Sequence, residues 1–128
     1  MKLIRAIGLM SGTSMDGIDV AALKSDGEII TEIGPGLFVP YPSVFRRKLE
    51  GALGVAKSIR RREERPGNLA EIEAEITERH AAAVKAFLDT APSEWKKAEL
   101  VGFHGQTVLH RPQIGLTVQL GDGPMLAH

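Results

Sequence analysis

Two short stretches of this chain bring together residue types that handle anions and sugar hydroxyls. The first is Gly8-Leu9-Met10-Ser11-Gly12-Thr13-Ser14-Met15-Asp16-Gly17-Ile18-Asp19. Ser11, Thr13 and Ser14 supply hydroxyl donors, and Gly12 and Gly17 are free to take positive φ, so a loop here can turn several N–H groups onto one anion. Asp16 and Asp19 would repel a bare polyphosphate. A divalent cation or its waters between them removes that conflict, so the loop suits a metal–nucleotide complex. A plain hairpin turn uses the same residue types, and local chemistry does not choose between the two. No Gly-Lys-Ser/Thr follows, and no G-x-G-x-x-G opens a helix, so neither common phosphate motif is present.

The second stretch is His104-Gly105-Gln106-Thr107. An imidazole, an amide and a hydroxyl at the end of a strand can pair with sugar hydroxyls and an acetamido group, and Gln106 both donates and accepts. The alternative is that His104 and Gln106 satisfy backbone at an irregular turn.

The elements that must position these groups follow from periodicity. Apolar runs at 3–10 and 18–23 read as paired strands around the first loop, Ser25-Asp26-Gly27 as a turn, and Glu28 to Ile33 as a third strand. Gly34-Pro35-Gly36 interrupts, Leu37 to Val39 can continue the strand, and Pro40-Tyr41-Pro42 ends it. Val44, Phe45, Lys48, Leu49 and Ala52 have helical spacing, with Ser43 as cap and Gly51 and Gly54 as the finish. A longer helix starts at Asn68, with Leu69, Ile72, Ile76, Ala83, Val84 and Phe87 on one stripe. His80 falls on that stripe and reads as a buried, hydrogen-bonded histidine. Trp95 packs against the core, and Leu100 to Phe103 reads as a buried strand aimed at His104. Thr107 to Leu109 and Leu116 to Leu120 form two short strands, and Asp122 and Pro124 suit the start of a helix. That helix would begin just before the chain stops at His128, too late to be nucleated alone, so a truncated fragment is expected.

Composition narrows the function classes. With 128 residues, one domain over 1–128 is expected. Sixteen basic and 16 acidic residues cancel, leaving no global field for nucleic acid or an anionic membrane. The one basic run, Lys57 to Arg65, lacks interleaved aromatics and contains Glu63 and Glu64, so it reads as a solvated segment. The absence of cysteine excludes disulfides and thiolate chemistry and fits a cytoplasmic location. No stretch approaches the roughly 18 apolar residues of a membrane span.

The string from Gly8 to Asp19 closely resembles the amino-terminal signature of the anhydro-N-acetylmuramic acid kinases. Gly102-Phe103-His104-Gly105-Gln106-Thr107-Val108-Leu109-His110-Arg111-Pro112 is similar to the same family's His-Gly-Gln-Thr segment, and Thr117-Val118-Gln119-Leu120-Gly121-Asp122-Gly123 follows it as in the family. The resemblance covers essentially all of this chain and about the first third of a typical member.

It implies an α/β fold: the first lobe of the actin, sugar-kinase and heat-shock ATPase architecture, three initial antiparallel strands followed by helices and further strands. It implies that Gly12, Thr13, Ser14, Met15, Asp16, Gly17, Ile18 and Asp19 form an ATP phosphate loop, with Mg as the metal. His104, Gly105, Gln106 and Thr107 would lie on the side of 1,6-anhydro-N-acetylmuramic acid. The reaction implied is hydrolytic opening of the anhydro bridge coupled to phosphorylation of O6, in peptidoglycan recycling. The family's catalytic aspartate falls in an Asp-Phe-Arg-like segment beyond His128. No catalytic residue is therefore assigned within these residues, and the chain alone is expected to be inactive, with an uncovered apolar edge that favours homo-oligomers. Two other readings compete: a noncatalytic sugar- or nucleotide-binding or interaction module, and a chaperone-type ATPase lobe.

Overall fold

The computed structural model describes residues 3–12, 14–96 and 98–127. Strands β1 (Ile4–Ser11), β2 (Gly17–Ser25) and β3 (Ile30–Pro40) are followed by helices α1 (Ser43–Ala56) and α2 (Leu69–Thr90), then β4 (Leu100–Phe103), the hairpin β5 (Gln106–Arg111) and β6 (Leu116–Leu120), and a last turn of helix, α3 (Gly123–Leu126). The expected mixed α/β order, three strands and then helices and further strands, is what folds. The larger sheet runs β3-β2-β1-β4, and β5 pairs with β6 separately. β1 is antiparallel to β2 but parallel to β4, with Leu9 beside Phe103. The segments that leave β1 and β4 therefore emerge at the same edge of the sheet, where open α/β sheets take ligands.

One face of the sheet makes the core. Ile7, Leu9, Ile18, Val20 and Ala22 alternate inward and meet Phe45, Leu49 and Ala52 of α1 and Leu69, Ile72, Ile76, Ala83 and Phe87 of α2. Burying side chains the size of Phe45 or Leu49 contributes about 2–3 kcal/mol each. His80, on the α2 stripe, is buried and bonds its own helix, Nδ1 to the Ile76 carbonyl at 2.7 Å, while its ring meets Phe103 edge-on. Burial lowers its pKa below the ordinary value, against the smaller opposite pull of the Ile76 bond.

Several details differ from the sequence reading. β3 starts at Ile30 and runs unbroken through Gly34-Pro35-Gly36, because the register skips there from Ala21–Gly36 to Leu23–Ile33 and no partner needs the absent N–H of Pro35. Gly34 lets the buried Trp95 ring lie flat against the strand; a Cβ there would fall 2.7 Å from it. α1 continues past Gly51 and Gly54 to Ala56, since its buried stripe, Phe45, Leu49, Ala52 and Ala56, outlasts them. Val44 is exposed, and Ser43 does not cap: Pro42 holds the cap position without a side-chain bond. Asn68 sits at the cap of α2, also without one. β4 is not buried; Leu100 is 58% and Val101 40% exposed, because among the described residues it lies at the end of the sheet.

α3 does form, as a single turn. The Asp122 carboxylate accepts from the Met125 N–H at 3.0 Å, and the segment entering it is held from α2: the Gly121 N–H donates to Glu73 Oε2 and the Asp122 N–H to Thr77 Oγ1, both at 3.0 Å. Tertiary bonds replace the helix nucleation that its length denies it.

Candidate functional site

The first loop joins β1 to β2 at the edge where β1 and β4 end. Thr13 lies outside the described residues. The glycines do not serve as composition suggested: neither Gly12 nor Gly17 has positive φ, and the left-handed residue is Met15, at φ 58°. Its side chain is buried, and its N–H donates to the Gly12 carbonyl at 3.1 Å. A bulky residue in this region costs about 1–3 kcal/mol and persists only where its surroundings fix it, here by the burial of the thioether chain. Gly17 is required for a different reason. A Cβ would fall 2.3 Å from the Val39 carbonyl oxygen and 2.7 Å from Pro40 Cα, so glycine lets β3 close against β2. Gly12 is open, its nearest neighbour to such a Cβ being Ser14 Oγ at 3.9 Å.

Ser11 is buried at the last step of β1, and its hydroxyl is not available as the free donor expected from the sequence. It donates to Gln106 Oε1 at 2.5 Å and accepts from the Tyr41 hydroxyl at 2.8 Å. Ser14 is exposed. Asp16 is exposed but paired: Arg46 of α1 reaches its Oδ1 at 3.0 Å and the Ser14 carbonyl at 3.4 Å. Ile18 is in the core, while Asp19 lies on the opposite, exposed face of β2, across from Met10 and Phe38. The two carboxylates thus do not converge, and among the described residues no group of three metal-binding side chains forms. The donors present therefore do not make an all-protein metal cage among the described residues.

The second motif begins where β4 ends. Gly105 must be glycine: its φ is 78° and a Cβ would lie 2.3 Å from the Leu120 carbonyl oxygen. Close contact with Leu120 and Gly121 fixes this loop against the end of β6. His104 is exposed and its ring is fixed on both sides, Nδ1 to the Gly105 carbonyl at 3.2 Å and Nε2 to Gln119 Nε2 at 2.6 Å. With Gln119 donating to Nε2, Nδ1 is the ring nitrogen that donates to the Gly105 carbonyl. Gln106 is fully buried; its amide N–H donates to the Thr107 carbonyl at 3.2 Å and its oxygen accepts from Ser11. Thr107 is half-buried, paired across the hairpin with Gln119.

The structure therefore joins the two predicted stretches through one buried bond, Ser11 to Gln106. Four contributors escaped sequence reading. Tyr41 sits between two prolines and reads only as a strand stop, although an aromatic with a polar tip in that setting is a signal for a buried hydrogen bond. Gln119 lies within the Thr117–Gly123 stretch, which by itself assigns it no role, and Arg46 carries no local signal. Glu73, on the polar side of α2, is half-buried between Arg65 Nη2, at 3.0 Å, and the Gly121 N–H.

A family model described as anhydro-N-acetylmuramic acid kinase matches residues 4–128. Curated relatives agree with it. The anhydro-N-acetylmuramic acid kinase of Rhizobium etli is 56% identical over 128 residues, covering 99% of this chain and 35% of the relative. That of Agrobacterium fabrum is 55% identical over 122 residues, 95% of this chain and 33% of the relative. That of Brucella canis is 50% identical over 125 residues, 98% and 34%. The chain spans about a third of the length of the curated relatives it matches.

Proposed function

The chain belongs to the anhydro-N-acetylmuramic acid kinase family, and from that premise we propose that it carries the nucleotide and sugar loops of an ATP-dependent kinase that opens the 1,6-anhydro bridge and phosphorylates O6. The observation that supports this most directly is the meeting of the two loops at the shared edge of parallel β1 and β4, joined by Ser11 and Gln106. Gly12, Thr13, Ser14, Met15, Asp16, Gly17, Ile18 and Asp19 would hold the ATP phosphates. His104, Gly105, Gln106 and Thr107 would form the wall toward 1,6-anhydro-N-acetylmuramic acid. Of these, His104 is exposed, while Gln106 is buried.

Magnesium, carried in by ATP, would neutralise charge on the phosphates during transfer. The chemistry asks for a base that takes a proton from water as it attacks C1, so that the bridge oxygen leaves and accepts the γ-phosphoryl, releasing ADP. No such base is assigned here. Asp16 is tied to Arg46 and Asp122 caps α3, so neither is free to serve. The base then comes from the longer sequence that relatives carry, and this chain alone is inactive. The setting is a single partial domain of a cytoplasmic enzyme of peptidoglycan recycling, able to form homo-oligomers when isolated.

The test is incubation of the purified chain with ATP, magnesium and 1,6-anhydro-N-acetylmuramic acid, with and without a polypeptide supplying the remainder of a relative. The product sought, N-acetylmuramic acid 6-phosphate, is read by mass spectrometry. Product only on complementation supports the proposal. Product from the chain alone places the base within these residues, and no product in either arm favours a noncatalytic binding module.

A further inference from the structure

We propose that Tyr41, which belongs to neither signature stretch, is a positioning residue that sets the first loop and the His104–Thr107 loop relative to one another. Three contacts converge on it. Its hydroxyl donates to Ser11 Oγ at 2.8 Å, at the entry to the first loop, and its backbone N–H donates to the Asp16 carbonyl at 2.9 Å, at the exit. One residue thus holds both ends of the loop whose middle carries the left-handed Met15. Its ring stands edge-on to Phe45, with centroids 5.0 Å apart, so α1 fixes its direction.

A fourth link is indirect. A serine hydroxyl has one proton and two lone pairs. Because Tyr41 donates into Ser11, the Ser11 proton points to Gln106 Oε1, and the Gln106 amide passes the sequence on to the Thr107 carbonyl. All three side chains are buried, so water cannot replace a missing member without opening the core. Buried hydrogen-bond chains of one polarity reinforce one another, and a break leaves polar atoms unsatisfied along the line. The functional consequence, that a phosphate ligand on one loop and a sugar on the other are held in register, rests on the kinase reading above; the coupling itself does not.

The test uses this chain without ligand, by amide hydrogen exchange followed by NMR. Tyr41→Phe keeps the ring, the Phe45 contact and the backbone bond to Asp16, and removes only the hydroxyl. The comparison is Ile76→Val, a core change in α2 outside the network. We expect Tyr41→Phe to speed exchange at Gly105, Gln106 and Thr107 by about tenfold or more relative to Ile76→Val, after both are corrected for global stability by denaturant melts, and to shift the Gln106 side-chain amide signals. Ser11→Ala, a smaller change that guards against misfolding of the first variant, should reproduce this. Combining Tyr41→Phe with Gln106→Met should add less than the sum of the single effects. Exchange at 105–107 that matches the Ile76→Val control, or strict additivity, overturns the proposal. Coupled exchange together with no product in either arm of the complementation assay would instead remove the kinase reading and leave the coupling standing.

Discussion

At the scale of the residue, Tyr41 and His80 each give a measurable pH signature. Burial pushes the Tyr41 phenol up to about 12, more than the Ser11 bond brings it down. The neutral form is the one the fold accommodates, so the unfolded chain loses this proton first, and stability falls as pH rises from about 10 toward 12. Tyr41 is the sole tyrosine. Phenolate absorbance should therefore stay absent at pH 10.5 while circular dichroism remains native, and its early appearance there would contradict the buried network. His80 works on the acid side. Its pKa is lowered by burial, so between that value and about 6.5 the unfolded state binds more protons than the native state and stability declines as pH drops. Urea midpoints should be lower at pH 5.5 than at pH 7.5, and His80→Gln should flatten that difference.

At the scale of the element, the glycines in the two loops separate structural from functional need. Gly105→Ala forces a Cβ onto the Leu120 carbonyl at a positive φ and should lose about 2–3 kcal/mol of stability in denaturant melts. Gly12→Ala meets open space and should cost within about 0.5 kcal/mol, so any large loss of nucleotide affinity in that variant would report the approach of a ligand to the loop backbone. The elements themselves were largely legible: apolar runs marked β1 and β2, and the α2 stripe from Leu69 to Phe87 was buried as its spacing required. What sequence could not show depends on partners distant in the chain. β3 passes a Gly-Pro-Gly because the ladder skips it, α1 outruns two glycines because of its buried face, and β4 is exposed because of where it falls in the sheet. The site was legible as two motifs but not as one unit. Ser11 looked like a free phosphate donor, and only the 95-residue separation bridged by its bond to Gln106 shows otherwise.

At the scale of the whole molecule, the sheet has one covered face and one open face. Cα partners Gly36, Ala21, Gly8 and Gly102 form a row of small residues across all four strands on the side away from α1 and α2, with Met10, Phe38 and Leu100 exposed around it. Apart from Asp19, which lies on it, this surface is apolar, and β4 adjoins it as an edge strand whose outer backbone groups are open to pairing among the described residues. The formal net charge of zero supplies no long-range repulsion between copies. Isolated chains should therefore associate through this face and edge. Sedimentation should show a weight-average mass that rises with concentration, and Leu100→Lys, which places a charge at the junction of edge and open face, should return the chain to a monomer with an unchanged circular dichroism spectrum. Complementation with the remainder of a relative should suppress the same association, because a covering polypeptide competes for the surface that a second copy would use. A monomer at all concentrations, with or without that polypeptide, would mean that the small-residue row is adequately solvated and that the open face drives no assembly.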